Sequence, residues 1–269
     1  MRIINDLELG TFDLHMHTTA SDGVYAPKDL VRKAKETGLK TIAITDHDTL
    51  AGVEEAQQAG MELGLQVLPG VEISTKYKGK NVDILGYNMS DWRNLHDKLA
   101  AFRDDREARA LQIIQRFAEL HMPITLEDVK EFSGEGVIAR PHIAKAIVKK
   151  GYVSDVQTVF DKYLADGGPA AVDKKILSPQ EGIDLIHEAG GYAVMAHPVL
   201  IDNDNLVREL LAGCSFDGLE VWHRKHDKQD VKRYKQMAEK YELLVTGGSD
   251  FHDDQHDLGS FQNYPIGNN

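Results

Sequence analysis

The chain has 269 residues, 42% of them hydrophobic and 28% charged, enough apolar material for one large domain or for a barrel carrying an inserted subdomain. A single cysteine, Cys214, excludes a disulfide framework or a thiolate zinc site within one copy and accords with a reducing, cytoplasmic setting. The formal net charge of −12 weighs against duplex DNA as a partner, and with neither a basic-then-apolar leader nor a long apolar run, secretion and membrane insertion are not expected.

Short apolar runs alternate with amphipathic stretches. Strands are predicted at 12–14, 41–45, 66–68, 82–85, 192–196, 218–221 and 243–246. Helices are predicted at 27–37, where Pro27 suits a first turn, at 51–63, at 178–189 behind a Ser178 cap, and at 227–241. Gly38, Gly64 and Gly190 follow helix ends. Alternating β and α units imply a parallel sheet, and about seven strands can close into a barrel. Residues 91–173 break that rhythm with helical patterns at 93–120, 126–132 and 140–149, which read as a helical insertion after the fourth strand. The expected organisation is an α/β fold, a distorted seven-stranded (β/α) barrel over residues 1–90 and 174–269, with a substrate-capping helical subdomain over 91–173. The final segment GSFQNYPIGNN reads as a tail.

The chemistry gathers at strand ends. In Asp13-Leu14-His15-Met16-His17 the two histidines lie two apart, so an extended backbone turns both to one side, where they can grip one ion. Ser21-Asp22-Gly23, taken alone, reads first as a turn. Asp46 and His47 follow the second strand and Glu72 follows the third. Asp83 interrupts an apolar strand, His197 ends the fifth, and Asp250 with His252 ends the last. Asp83 buried alone would be costly, so a cation or hydrogen-bonding partner is expected for it. A barrel collects the C-terminal ends of its strands on one face, and that shared placement carries more weight than any one spacing.

The segments DLHMHTTASDG, TIAITDHDTL, LPGVEIS, AVMAHP and GGSDFH resemble, in order, the motifs of PHP-domain (polymerase and histidinol phosphatase) phosphoesterases. Within them, the insertion with Ala139-Arg140-Pro141-His142 resembles stand-alone nucleoside 3′,5′-bisphosphate phosphatases and 5′→3′ exoribonucleases. The resemblance implies up to three metal ions held by His15, His17, Asp22, His47, Glu72, His197, Asp250 and His252, with Asp83 at a position more often histidine. It makes Asp22, His47 and His197 catalytic candidates, and Asp46 a residue that orients its neighbours.

Nitrogen and carboxylate donors without thiolate suit two to three Mn²⁺, Fe²⁺ or Zn²⁺ ions, and Mg²⁺ less well. The reaction so implied is attack of a metal-activated hydroxide on the phosphorus of a small nucleotide or a short RNA. Arg140 and His142, which alone read as a helix start with a surface salt bridge, become candidates for gripping a substrate phosphate. Lys174, Lys175, His223, Arg224 and His226 are weaker ones, with solvated charge the default for the run Trp222 to His226. Histidinol-phosphate hydrolysis is an alternative that the Arg140 insertion weighs against. A non-catalytic metal-binding module is another, and it predicts lost ligands, whereas the motif positions retain theirs.

Overall fold

The computed structural model describes residues 10–133, 138, 140–165, 167–172 and 177–262. In chain order its elements are β1 (Phe12–Asp13), α1 (Pro27–Glu36), β2 (Thr41–Ile44), α2 (Val53–Leu63), β3 (Gln66–Tyr77), β4 (Lys80–Tyr87), α3 (Trp92–Glu119), α4 (Leu126–Ser133), α5 (Arg140–Lys149), α6 (Val156–Val159), α7 (Pro179–Glu188), β5 (Tyr192–Met195), α8 (Asp204–Gly213), β6 (Gly218–His223), α9 (Lys228–Lys240) and β7 (Leu244–Gly248). The chain divides into two compact units, Met1–Asp97 with Ile176–Asn269, and Lys98–Lys175. Among the described residues no helix is long and apolar enough to cross a membrane.

The first unit is α/β, and its seven strands form one sheet in chain order. β1, β2 and β3 run parallel, as do β5, β6 and β7. The outer strands nearly meet: Leu14 N donates to Gly247 O at 3.2 Å, and His17 N to Phe251 O at 2.9 Å. That closure needs a glycine, because a Cβ on Gly248 would stand 2.2 Å from the Cβ of His15. The interior holds Leu14, Ala43, Leu85, Tyr87, Val194 and Ala196, and the Tyr87 hydroxyl donates to Leu14 O at 2.9 Å.

Several features depart from the sequence expectations. The sheet is mixed rather than parallel, since β4 runs antiparallel to both β3 and β5. No helix joins β3 to β4; Lys78 and Gly79, with φ of 47° and 82°, make the two-residue turn of a tight hairpin. The third strand accordingly continues past Pro69-Gly70, which read as its end, as far as Tyr77. Helix α8, capped by the Asn203 side chain, had no predicted counterpart. The start of the supposed tail is packed: Phe261 is 1% exposed, with its ring 5.7 Å from that of Phe12. Residues 263–269 lie outside the described residues.

The predicted helix behind Ser178 is present as α7, with a capping box in which Ser178 and Glu181 satisfy each other's backbone N–H groups. The second unit is helical and built on an apolar core that includes Ile113, Phe117, Val129, Ile143, Ile147, Val159 and Leu164. Its helices α4 and α5 follow the predicted 126–132 and 140–149 patterns.

Candidate metal centre

The barrel's strand ends deliver the side chains. Past β1 the backbone stays extended, so His15 and His17 share a side, and Met16 between them bridges to Phe251. His47 pairs with Glu72 through a parallel bridge just beyond β2. The Asp46 carboxylate accepts from Thr18 N, the Thr18 hydroxyl and the Ser21 hydroxyl, each at 2.7 Å, and so pins the loop that carries Asp22. Asp48, His197 and Asp250 have positive φ of 50°, 20° and 52°, backbone strain of the kind that accumulates where a site dictates side-chain direction.

Three overlapping groups result, each with donor atoms within 4.8 Å of one another: His17, Asp22, His47 and His252; His15, His17 and Asp250; and His15, Glu72 and His197. Glu72 is the hub. Its Oε2 lies 3.3 Å from His15 Nε2, 3.3 Å from His17 Nε2 and 3.2 Å from His47 Nδ1, while Oε1 lies 2.9 Å from His197 Nε2. Asp250 Oδ1 stands 3.3 Å from His17 Nε2 and 3.6 Å from His15 Nε2. Asp22 reaches toward His252 at 3.4 Å and toward His17 and His47 at 3.8 Å.

The donors fit divalent cations. Both ring nitrogens of His17 are buried without a hydrogen-bond partner, although Glu72 and Asp250 lie within 3.3 Å. A buried imidazole left so is costly, and a cation held there would remove the cost. The charge balance agrees. Burial would raise the Glu72 carboxyl, yet His15, His197 and His47 hold it well below its ordinary range. Burial is likewise overcome at Asp250, held far down by His17, His223 and His15, and at Asp22, held at about 2 by His252, His47 and His17. Burial pushes His17 down, whereas at His15 it is outweighed by Glu220 and Glu72, which hold the imidazole well above its ordinary value. These carboxylates are ionised at neutral pH and draw cations, protons or metals, toward the surrounding rings.

Glu220 is the residue the sequence reading missed. It is fully buried in β6, its Oε1 3.0 Å from His15 Nδ1, and its Oε2 accepts from His197 N at 2.7 Å. A proton on His15 Nδ1, donated to Glu220, leaves Nε2 to face Glu72 and Asp250, the arrangement a metal-binding imidazole needs. The signal was available, since a carboxylate inside the apolar run Gly218-Leu219-Glu220-Val221 is the anomaly that drew notice to Asp83. Asp13 is similar. It accepts from the Ser249 hydroxyl at 2.5 Å and from Ser249 N and Gly259 N at 2.9 Å, and burial raises its carboxyl to about 6.

Asp83 belongs to none of the three groups. Burial and the charge of Glu72 raise its carboxyl to about 6, a negative group near another with too little positive charge beside it. In the run from Trp222 to His226 only Lys225 is exposed. His223 and His226 are buried, and Arg224 Nη2 donates to Asp250 Oδ2 at 2.8 Å. Packing behind the mouth overrides the polar pattern: His226 Nδ1 donates to Val221 O at 2.9 Å, with its ring 4.9 Å from that of Tyr234. Arg140 and His142 belong to the helical unit, where Arg140 Nη1 donates to Leu164 O at 3.1 Å. Ala139, Lys174 and Lys175 lie outside the described residues.

A barrel mouth crowded with imidazoles and carboxylates, and free of thiolates, has the donor set of a hydrolytic metal centre. The chain belongs to the PHP domain family, whose characteristic sequence pattern matches residues 13–250. It is 34% identical over 249 residues to a 5′-3′ exoribonuclease of Haemophilus influenzae, covering 90% of this chain and 89% of that one. It is 30% identical over 266 residues to a 3′,5′-nucleoside bisphosphate phosphatase of Chromobacterium violaceum, covering 96% and 93%. A crystal structure from Bifidobacterium adolescentis, named as a metal-dependent phosphoesterase, superposes with a TM-score of 0.64 at 32% identity, covering 92% of this chain and 90% of that one. The class is that of the metal-dependent phosphoesterases, and the chain is a phosphoric ester hydrolase.

Proposed function

We propose that the enzyme removes phosphate from nucleoside 3′,5′-bisphosphates and cleaves short 5′-phosphorylated oligoribonucleotides, in the cytoplasm, using two to three Mn²⁺, Fe²⁺ or Zn²⁺ ions. One observation carries the metal assignment: a buried His17 ring without hydrogen-bond partners, set between ionised Glu72 and Asp250. One relative is named as a 5′-3′ exoribonuclease and the other as a 3′,5′-nucleoside bisphosphate phosphatase, and RNA and the bisphosphate share a chemistry. Each presents a phosphoryl group on the 3′ side of a nucleotide.

His15, His17, Asp22, His47, Glu72, His197, Asp250 and His252 are the proposed ligands, with Asp83 the additional donor beside His197. Bound divalent ions supply a water of lowered pKa and positive charge against the phosphate oxygens. The protein's own contribution is orientation. Glu220 fixes the His15 ring and the His197 backbone, Asp46 fixes the Asp22 loop, and Arg224 fixes Asp250. Asp22, His47 and His197 are the residues proposed to border the reacting phosphate. Arg140 and His142 are proposed to bind a second phosphate of the substrate, guanidinium suiting a bidentate grip.

The test is phosphate release from adenosine 3′,5′-bisphosphate by purified protein with Mn²⁺, before and after chelation. Rapid release that chelation stops supports the proposal. Faster turnover of histidinol phosphate under the same conditions moves the enzyme to that substrate, and turnover that survives chelation removes the metal assignment.

A further inference from the structure

A cleft of about 440 Å³ that none of the residues assigned above lines is bordered by Leu50, Glu54, Trp92, Arg93, His96 and Asp97, all within the barrel unit. Leu50 follows His47 by three residues, so their Cα atoms lie within about 11 Å of each other. One wall of the cleft thus lies, backbone to backbone, close to a candidate metal ligand.

Its walls are organised. Leu50 N donates to His96 Nδ1 at 3.3 Å. The Arg93 guanidinium carbon sits 4.4 Å from the Trp92 ring centroid, and Arg93 Nη2 donates to Glu54 Oε1 at 2.8 Å. The Arg93 and Glu54 side chains are 67% and 74% exposed, so their ion pair adds little to stability. What the pair does is hold the Arg93 guanidinium over the Trp92 ring. Surfaces of these two kinds stack on nucleobases with little regard to sequence. The charge of the cleft agrees, because its lining pairs Arg93 with the carboxylate of Glu54 and adds that of Asp97, which disfavours a phosphate and tolerates a neutral ring.

Resting on the nucleotide reading above, we infer that this cleft is a nucleobase subsite, in which a base of the substrate stacks on the Trp92–Arg93 pair while the reacting phosphate lies at the metal centre. The base is that of the first nucleotide or that of the one following the reacting phosphate. For an oligonucleotide substrate, such a subsite adds affinity without sequence preference.

The experiment compares KM and kcat for ribose 3′,5′-bisphosphate, adenosine 3′,5′-bisphosphate and a 5′-phosphorylated adenosine dinucleotide. It uses wild type, Trp92→Ala, Trp92→Phe and Glu54→Ala. Trp92→Ala is expected to raise KM for base-bearing substrate, relative to the base-free one, on the order of ten-fold. Trp92→Phe restores most of the loss, and Glu54→Ala, at an exposed position where folding is not at issue, gives a smaller selective rise. A rise for both adenosine substrates assigns the first base, and a rise for the dinucleotide alone assigns the second. Equal change on all three substrates, or none, in both Trp92→Ala and Glu54→Ala overturns the inference. Binding is read apart from turnover in Trp222→Phe protein, whose remaining tryptophan is Trp92. Neither adenosine compound quenching its emission also overturns the inference, whereas quenching without turnover retains the subsite and removes the proposed reaction.

Discussion

The barrel mouth and the core of the helical unit bury their side chains on opposite terms. In the helical unit the buried set is apolar, with Ile113, Phe117, Val129 and Ile147 at or below 1% exposure. At the mouth, His15, His17, Glu72, Glu220 and His223 are buried to the same degree. Burial of the first kind stabilises by taking hydrocarbon out of water. Burial of the second kind costs stability unless charges and hydrogen bonds are matched, and at His17 the hydrogen bonds are not made. An apolar core tells how a unit folds and little of what it does, whereas a core that works against stability marks the place where chemistry is done.

That contrast can be broken by substitution. Phe117→Ala should destabilise the helical unit by about 3–5 kcal/mol, the ordinary cost of emptying an apolar core. Hydrogen exchange should then quicken in α3 to α6, while bound metal stays constant. Loss of metal from this variant would show that the two units do not hold their structures separately.

Glu220→Gln keeps shape and removes the charge that fixes the His15 ring. Metal affinity is expected to fall about 10- to 100-fold, read by titration with Mn²⁺ against a competing chelator, with thermal stability retained. An unchanged affinity would reduce Glu220 to a packing residue.

The smallest expected effect is one of pH on the metal-free protein. His15 is held well above its ordinary 6.5 by Glu220 and Glu72, so its protonation favours the folded state. That contribution is full below pH 6.5 and is lost as pH rises through the folded value. Chelated protein should therefore melt at progressively lower temperature above pH 6.5, and Mn²⁺-loaded protein should not show the decline. A parallel decline in both forms would separate the His15 environment from metal binding.

Much of the site was legible because its residues interrupt or end apolar runs, as His47, Glu72, His197 and Asp250 do. Glu220 interrupts an apolar run in the same way, but the polar run after it, whose basic residues read as solvated until the fold buried His223 and His226, masks it. The hairpin of β3 and β4 was hidden by Pro69-Gly70, which mimics a strand end. In the structure Pro69 instead pairs with Ile44, the last residue of β2. Phe261 looked unattached because its partner, Phe12, is 249 residues away in the chain, a separation no local pattern spans.

The most direct test of the central claim is the His17→Ala protein, with metal content and phosphate release from adenosine 3′,5′-bisphosphate measured on the same sample. The account predicts loss of at least one bound ion, turnover down by at least about a hundred-fold, and a melting temperature equal to or above that of chelated wild type. Full metal content with undiminished turnover would contradict it.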